Sequence, residues 1–467
     1  MISAPPHLAV ETKKEFLSKL LLLAFPIMLQ NLLVSSVSFI DTVMIGMVGE
    51  EAIAAVGLAN QMFFLITLFF FGVSSGGAIF VAQYWGAQDR PAMHKVMGIA
   101  LLLSISGALV STIVSIVIPN TIMGIFTEDI AVVSRGKEYL VVVAVSYLFT
   151  AVVMVYSSSL RSTGDAKTPL YTSILSMSLN VVLNYLLILG KFGFPRLEVK
   201  GAALATVISR GIEMVLLLAI VYGKKRAVAA PLHRLVGFDG TMVKKYFITC
   251  LPVILNEMFW SLGMTTYKIA FSRMGMEVIA SVNVSEAIQN LFFVVLMGIS
   301  NSSAIMIGNR IGENRIDMAT LYATRLLRIG LFTGALLGGA LAFLSPWLPI
   351  PFNLSPTVGL MTTRSLLTLG LLIPIKAYNM VLVVGVLRSG GDTRFSMFAE
   401  LAGVWLIGVP CAFIGALVLH MPIHYLYLFV GLEEAFKFVV GMIRVKSGKW
   451  INRLTDDEPP LLRQSPA

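Results

Sequence analysis

The sequence predicts an all-α polytopic membrane protein of twelve transmembrane helices, arranged as two six-helix lobes that repeat in parallel. Three observations predict it. Of 467 residues, 57% are hydrophobic and only 13% charged, with a mean hydropathy of +0.85, more apolar surface than a soluble core requires. Apolar stretches of about 20 residues recur along the chain, each long enough to cross a bilayer. A fixed shift also lays the first half of the chain on the second without a gap over residues 25–91: Pro26 meets Pro252, Gly49 meets Gly275, Gly72 meets Gly298 and Gly86 meets Gly312.

Taken in order, the spans of the first half are read at 18–45, 53–80, 95–118, 138–160, 168–190 and 201–222. Those of the second fall at 246–270, 279–308, 319–344, 362–387, 395–419 and 423–443. The first 16 residues carry no signal-peptide core or cleavage site, so the first span is expected to persist as a helix. One residue of slippage later in the repeat, "LRSTGD" (160–165) meets "LRSGGD" (387–392). The expected organisation is therefore an N-terminal lobe (1–222), a basic linker (223–245) and a C-terminal lobe (246–467). Six spans is an even number, so both lobes point the same way, about an axis along the membrane normal. That is a transporter architecture with its cavity between the lobes.

The net charge of +10 is a matter of topology. The loops after odd-numbered spans hold Arg135, Lys137, Lys191, Arg196, Lys200 and Arg273, while most of the 35 basic residues lie in the termini and the alternate loops. This positive-inside bias places both termini in the cytoplasm and excludes a nucleic-acid footprint. Both cysteines, Cys250 and Cys411, fall in spans, so no disulfide framework or metal cluster is expected. Five scattered histidines, no thiol–His or Ser–His arrangement and no phosphate-cradling G-x-x-x-x-G-K-[ST] argue against an enzyme. Energy must come from an ion gradient. The 24 methionines and 28 phenylalanines are mostly packing residues, with a few available for an adaptable cavity surface.

Intramembrane polar residues can be sorted by the repeat, because scaffold features of a duplicated fold tend to recur. Asp41 aligns with Tyr267, Asn180 with Ile407, Asn184 with Cys411, Glu257 with Asn31 and Lys376 with Phe149, so none of these is duplicated. Pro26/Pro252 and the paired glycines are, as packing or kink residues. Asn180 and Asn184, four residues apart, present two amides on one helix face. With Asp41 they make an all-oxygen set suited to a hard cation or a proton; the alternative is that they only bond neighbouring helices. Glu257 and Lys376 are read either as a buried pair locking the C-terminal lobe or as substrate or proton groups. Arg210/Glu213 and Glu433/Lys437 read as structural pairs, and Lys268 and Glu286 have no assigned role.

"P-x-x-L-Q-N" in the first helix, "D-T-V-M-I-G" at its end, "Q-Y-W-G" after the second and the paired "L-R-S-x-G-D" together resemble the multidrug and toxic compound extrusion (MATE) family, over roughly residues 16–453. The resemblance implies efflux of organic, often cationic compounds, driven by inward H⁺ or Na⁺ with no other cofactor. It implies an N-lobe cation site at Asp41, Asn180 and Asn184, with Tyr139 and Thr206 as accessory hydroxyls. Some branches carry aspartate where Asn184 stands, so this site has one acid fewer. Others carry a functional glutamate in the helix of Glu257, and an acid where this chain has Lys376, which argues against a second cation site. The expected setting is the inner or plasma membrane, multi-pass, as a monomer whose partners are the bilayer and small organic substrates. A related lipid-linked oligosaccharide flippase should show clustered cavity arginines and extra spans; the cavity candidates here are mostly acidic or neutral. A major-facilitator transporter should show G-x-x-x-D-R-x-G-R-R where this chain reads "QYWGAQDRP". A non-transporting receptor or scaffold is disfavoured by the buried acid.

Overall fold

The computed structural model describes residues 12–456; His7 and the outer ends of both expected lobes lie outside the described residues. In hydrocarbon every backbone polar group must be satisfied internally, and the apolar stretches accordingly form helices. The first half comprises α1 (Lys13–Gly46), α2 (Glu50–Gly86), α3 (Arg90–Val117), the short α4 (Pro119–Gly124), α5 (Ile130–Val143), α6 (Ser146–Ser162), α7 (Lys167–Leu189) and α8 (Glu198–Gly223). The linker holds α9 (Leu232–Leu235). The second half begins with α10 (Gly240–Ser272), α11 (Met276–Gly312), α12 (Ile316–Leu344) and α13 (Pro356–Met380). It ends with α14 (Thr393–Leu401), α15 (Val409–Phe413), α16 (Ile423–Val430) and α17 (Leu432–Lys446). Wide π turns extend α13 over Val381–Leu387 and join α14 to α15 over Ala402–Gly408.

Thr12 opens α1 with a capping box: its hydroxyl accepts from Glu15 N at 3.2 Å and Glu15 Oε2 accepts from Thr12 N at 2.9 Å. Gly49 and Gly275, at φ 143° and 117°, make the equivalent tight entries to α2 and α11. Pro26 and Pro252 lie buried inside α1 and α10. Among the described residues ten helices are long and apolar enough to cross a membrane, and α5 with α6, bent by 49°, makes an eleventh. At that bend the Ser146 hydroxyl donates to Val143 O at 2.6 Å and Thr112 to Ala144 O at 2.8 Å, so the freed carbonyls stay satisfied. The twelfth span, α16 and α17, is split at Gly431 and carries buried Glu433, Glu434 and Lys437. Its two short helices, of 8 and 15 residues, and its buried charges set it apart.

Each half lends a helix to the other. The start of α1, from Phe16 to Ile27, shares a core with Tyr322 and Leu326 of α12. In α10, Tyr246, Cys250 and Ile254 join the core of α2 and α3. The crossing is two-fold: Gly72 meets Ile254 of α10, and its repeat equivalent Gly298 meets Met28 of α1. At one end a Cβ on Gly86 would lie 2.0 Å from Asn309 O, and one on Gly312 would lie 1.9 Å from Gln83 O. Only glycine permits so close a helix crossing.

Hydrogen bonds between the halves cluster at this same end. Gln83 Nε2 donates to Ser389 O at 2.9 Å, and Asn309, with its amide oriented to satisfy both ends, donates to the equivalent Ser162 O at 3.3 Å. The segment after α17 crosses the seam: Trp450 is fully buried, Asn452 N donates to Gly390 O at 2.6 Å, and Leu454 N donates to Gln83 Oε1 at 2.7 Å. The linker is packed too, since His94 Nε2 bonds Ala227 O at 2.8 Å and Gly98 of α3 abuts Leu235 O. The molecule is thus sealed at the end bearing Gly86 and Gly312. At the opposite end, the second half of α1 is largely exposed.

Candidate cation site and central cavity

Asp41, near the exposed end of α1, meets α7. Asn184 Nδ2 donates to Asp41 Oδ1 at 2.7 Å and to Asn180 Oδ1 at 3.1 Å. Both asparagines are buried, while Asp41 is half-buried. The i,i+4 spacing stacks the two amides one turn apart, aiming both at α1. Asn184 Oδ1 is buried with no hydrogen-bond partner, a group that costs free energy while unsatisfied. A carboxylate and two amide oxygens, one of them orphaned, fit a small hard cation or a proton. Among the described residues no cluster of three or more His, Cys, Asp or Glu offers a transition-metal site.

The two accessory hydroxyls differ. Buried Tyr139 lies within electrostatic reach of Asp41 and donates to Asn60 Oδ1 at 3.2 Å. Thr206 donates to Ala202 O of its own helix at 3.1 Å. Asn60, on α2, was not legible as a site residue, because it lies in an apolar stretch with no motif around it.

Glu257 and Lys376 do not pair. Arg388 Nη1 lies 2.7 Å from Glu257 Oε1, whereas the charge on Lys376 acts on Glu433 and Glu434. Sequence depth placed both groups mid-membrane but gave no azimuth, and α10 turns Glu257 toward the end of the π turn after α13. Lys437 lies 3.0 Å from Glu434 and 3.8 Å from Glu433, so the nearer partner is the i,i+3 one. Asn379 Nδ2 donates to Glu434 Oε2 at 2.7 Å, and Tyr267 Oη donates to Glu433. Lys268 and Glu286 pair at 2.7 Å, and Arg210 and Glu213 at 2.8 Å.

A polar chain leads inward from this region. Arg210 holds Glu213; Ser173 Oγ donates to Glu213 Oε1 at 2.7 Å; Gln30 Nε2 donates to Ser173 Oγ at 2.8 Å; and Arg161 Nη1 donates to Gln30 Oε1 at 3.3 Å. Arg210 in turn acts electrostatically on Asp41. The chain ends at a cavity of about 80 Å³ between α2, α6, α11 and the π turn after α13. Arg161 and Arg388 both line it, so the expectation of mostly acidic or neutral cavity residues is corrected. Both arginines stand at span edges, where they read as topology charges and their inward aim was invisible.

The MatE family model matches residues 26–186 and 252–414. A probable multidrug resistance protein NorM of Thermotoga maritima is 26% identical over 460 residues, covering 96% of each chain. Multidrug resistance protein MdtK of Yersinia enterocolitica is 25% identical over 404 residues, 85% of this chain and 86% of its own. Among solved structures, an outward-facing multidrug resistance MATE family transporter of the MOP superfamily superposes with a TM-score of 0.82 at 20% identity, over 94% of this chain and 96% of its own. A MOP superfamily transporter from Pyrococcus furiosus, in which a binding pocket of reverse polarity suggests a different function, superposes with a TM-score of 0.82 at 20% identity, over 92% and 95%.

Proposed function

Because the chain belongs to the MatE family of multidrug efflux transporters, we propose that it is a secondary antiporter exporting organic, mainly cationic compounds in exchange for inward H⁺ or Na⁺. The observation that carries this reading is the Asp41–Asn184–Asn180 contact beside the orphaned Asn184 Oδ1. Asp41 takes up the ion from the open end, which the basic-residue bias assigns to the outside, with both termini in the cytoplasm. Asn184 and Asn180 turn their amide oxygens to the ion when Na⁺ is the partner, and orient the carboxyl when H⁺ is. Neutralising Asp41 weakens its pull on Arg210, and the chain through Glu213, Ser173 and Gln30 carries that change to the inner cavity. Ion and drug must favour different conformations, because only differential affinity shifts the equilibrium. The seal at Gly86 and Gly312 is the contact that parts when the site faces the cytoplasm.

The test is dye efflux from proteoliposomes under Na⁺ and pH gradients imposed separately. Efflux driven by one gradient supports antiport, and equal leak with neither gradient needed would sink it. Cysteine labelling of intact cells checks topology: a probe at 193 should react from outside and one at 233 should not.

A further inference from the structure

We propose that Arg161 and Arg388 form an oxyanion site on the pseudo-two-fold axis, which receives the carboxylate of a transported organic compound. The inference deepens the antiporter reading and rests on it. The cavity is built from repeat-equivalent pairs, Ser75 with Asn301, Ala78 with Ala304 and Arg161 with Arg388, so the duplication brings two guanidinium groups to one space. Recurrence would ordinarily mark scaffold residues. A site on the axis is the exception, since it needs the same residue from each half.

Neither arginine is used up by the scaffold. Arg388 is 3% exposed, and its Nε is buried with no hydrogen-bond partner. Arg161 makes one long bond, to the neutral Gln30 amide at 3.3 Å, and no carboxylate among the described residues comes within ion-pair distance of it. Arg161 is half-buried, and a guanidinium withdrawn from water without an anion is unfavourable. Glu257 neutralises Arg388 alone, so the two arginines and that glutamate leave one positive charge, which a single monoanion balances. The cavity of about 80 Å³ is large enough for a carboxylate and too small for a whole drug-sized molecule. The rest of the substrate must therefore extend into the cleft toward the open end. Planar, forked guanidinium groups suit bidentate recognition of such a group. The substrates that fit both this site and a cation-exporting cleft are zwitterions.

Full-length protein in phosphatidylcholine nanodiscs would be titrated, with no gradient, with a xanthene dye bearing a free carboxylate and with its cationic methyl ester. The wild type should bind the acid about tenfold more tightly or better, the effect expected for a charge-assisted hydrogen bond. Arg161→Gln should abolish that preference while the cationic ester still binds at least as tightly as to the wild type, and Arg161→Lys should retain part of the preference. Retained ester binding also shows that the variant is folded. Equal wild-type binding of acid and ester, or a parallel loss of both in Arg161→Gln, would overturn the site. So would displacement of the acid dye by phosphatidylglycerol but not by benzoate, which would assign the cavity to a lipid phosphate. Because binding is read at equilibrium, its failure leaves antiport standing; selective binding without gradient-driven efflux would instead defeat the antiporter reading.

Discussion

The two halves follow one backbone plan and differ in their polar chemistry. Where α1 sets Asp41 against Asn184, the second half places Tyr267 and Cys411, and Tyr267 turns to Glu433 of the last span. Other contacts are duplicated faithfully. The bond from Gln30 to Ser173 returns as one from Asn256 Nδ2 to Glu400 Oε2 at 3.1 Å, and the Gly86 and Gly312 crossings mirror each other. Duplication has kept what the shared crossing geometry requires and released the positions at which the first half sets Asp41 against its two asparagines. The buried charges of the second half also have ionic partners, Lys437 with Glu433 and Glu434 and Arg388 with Glu257. Asp41 of the first half has one amide donor, whose own oxygen is left unpartnered.

The largest break in this comparison should come from Asp41→Asn set against Tyr267→Phe. The first keeps the shape of the side chain and removes the exchangeable charge, so gradient-driven efflux should fall to the background seen without a gradient, with insertion and melting temperature unchanged. The second removes one hydrogen bond in the other half and should leave efflux within about fivefold, since a typical hydrogen bond contributes about 1 kcal/mol. Wild-type efflux from Asp41→Asn would make Asp41 a packing residue and move the search for coupling to Glu257.

Next in size is the Glu257–Arg388 pair. Glu257→Gln strands a buried guanidinium and should destabilise the protein by about 3–5 kcal/mol. Adding Arg388→Met removes the stranded charge and should recover most of that loss. Thermal unfolding in detergent of both singles and the double variant gives the coupling directly. Additive losses would mean that the 2.7 Å contact is not a working pair. The same cycle between Glu257 and Lys376 should show no coupling.

The sequence carried depth and period well and rotation about the helix axis poorly. Spans were legible because hydrocarbon demands long apolar helices, and the repeat was legible because glycine crossings tolerate no side chain. The break at Gly431 and the bend at Ala144 were hidden, because side-chain hydroxyls and tertiary packing satisfy them without any proline signal. Asp41, Asn180 and Asn184 were brought together by a spacing that fixes one helix face and by the family resemblance. Glu257 had no such spacing to fix its direction, and its partner Arg388 was masked as a loop-edge charge. Trp450 and Leu454 follow the last span in a stretch that reads as a polar tail, yet both are fully buried in the seam; two isolated apolar residues leave no period to read.

A smaller effect tests the symmetry of the seal. Gly86→Ala and Gly312→Ala each push a methyl group against the backbone of the opposite half, Asn309 O in one case and Gln83 O in the other. Each should cost about 1–3 kcal/mol, the usual range for overpacking. If the crossing is truly two-fold, the two losses should agree within about 0.5 kcal/mol, the margin to which independent effects usually add. They should also shift accessibility the same way, opening the sealed end to a cytoplasmic thiol probe. A loss confined to one glycine would show that the seal is carried by one half.

The smallest expected effect separates Asn180 from Thr206, two residues the family resemblance placed in one site. Asn180 Oδ1 accepts from Asn184 Nδ2 at 3.1 Å and is the amide oxygen one turn from Asp41. Asn180→Ala removes one ligand oxygen and frees Asn184 to turn, so the apparent affinity for the coupling ion should weaken about three- to tenfold, equivalent to roughly 0.5–1.5 kcal/mol. Maximal efflux at saturating ion should be kept, because Asp41 still carries the charge. The Thr206 hydroxyl bonds Ala202 O in its own helix at 3.1 Å, so Thr206→Val should leave ion affinity unchanged. Ion-dependence curves in proteoliposomes read both variants on one axis. An equal shift in the two would return Thr206 to the site, through a rotation of its hydroxyl toward Asp41 once the ion arrives; no shift in either would leave Asn184 as the sole amide that matters.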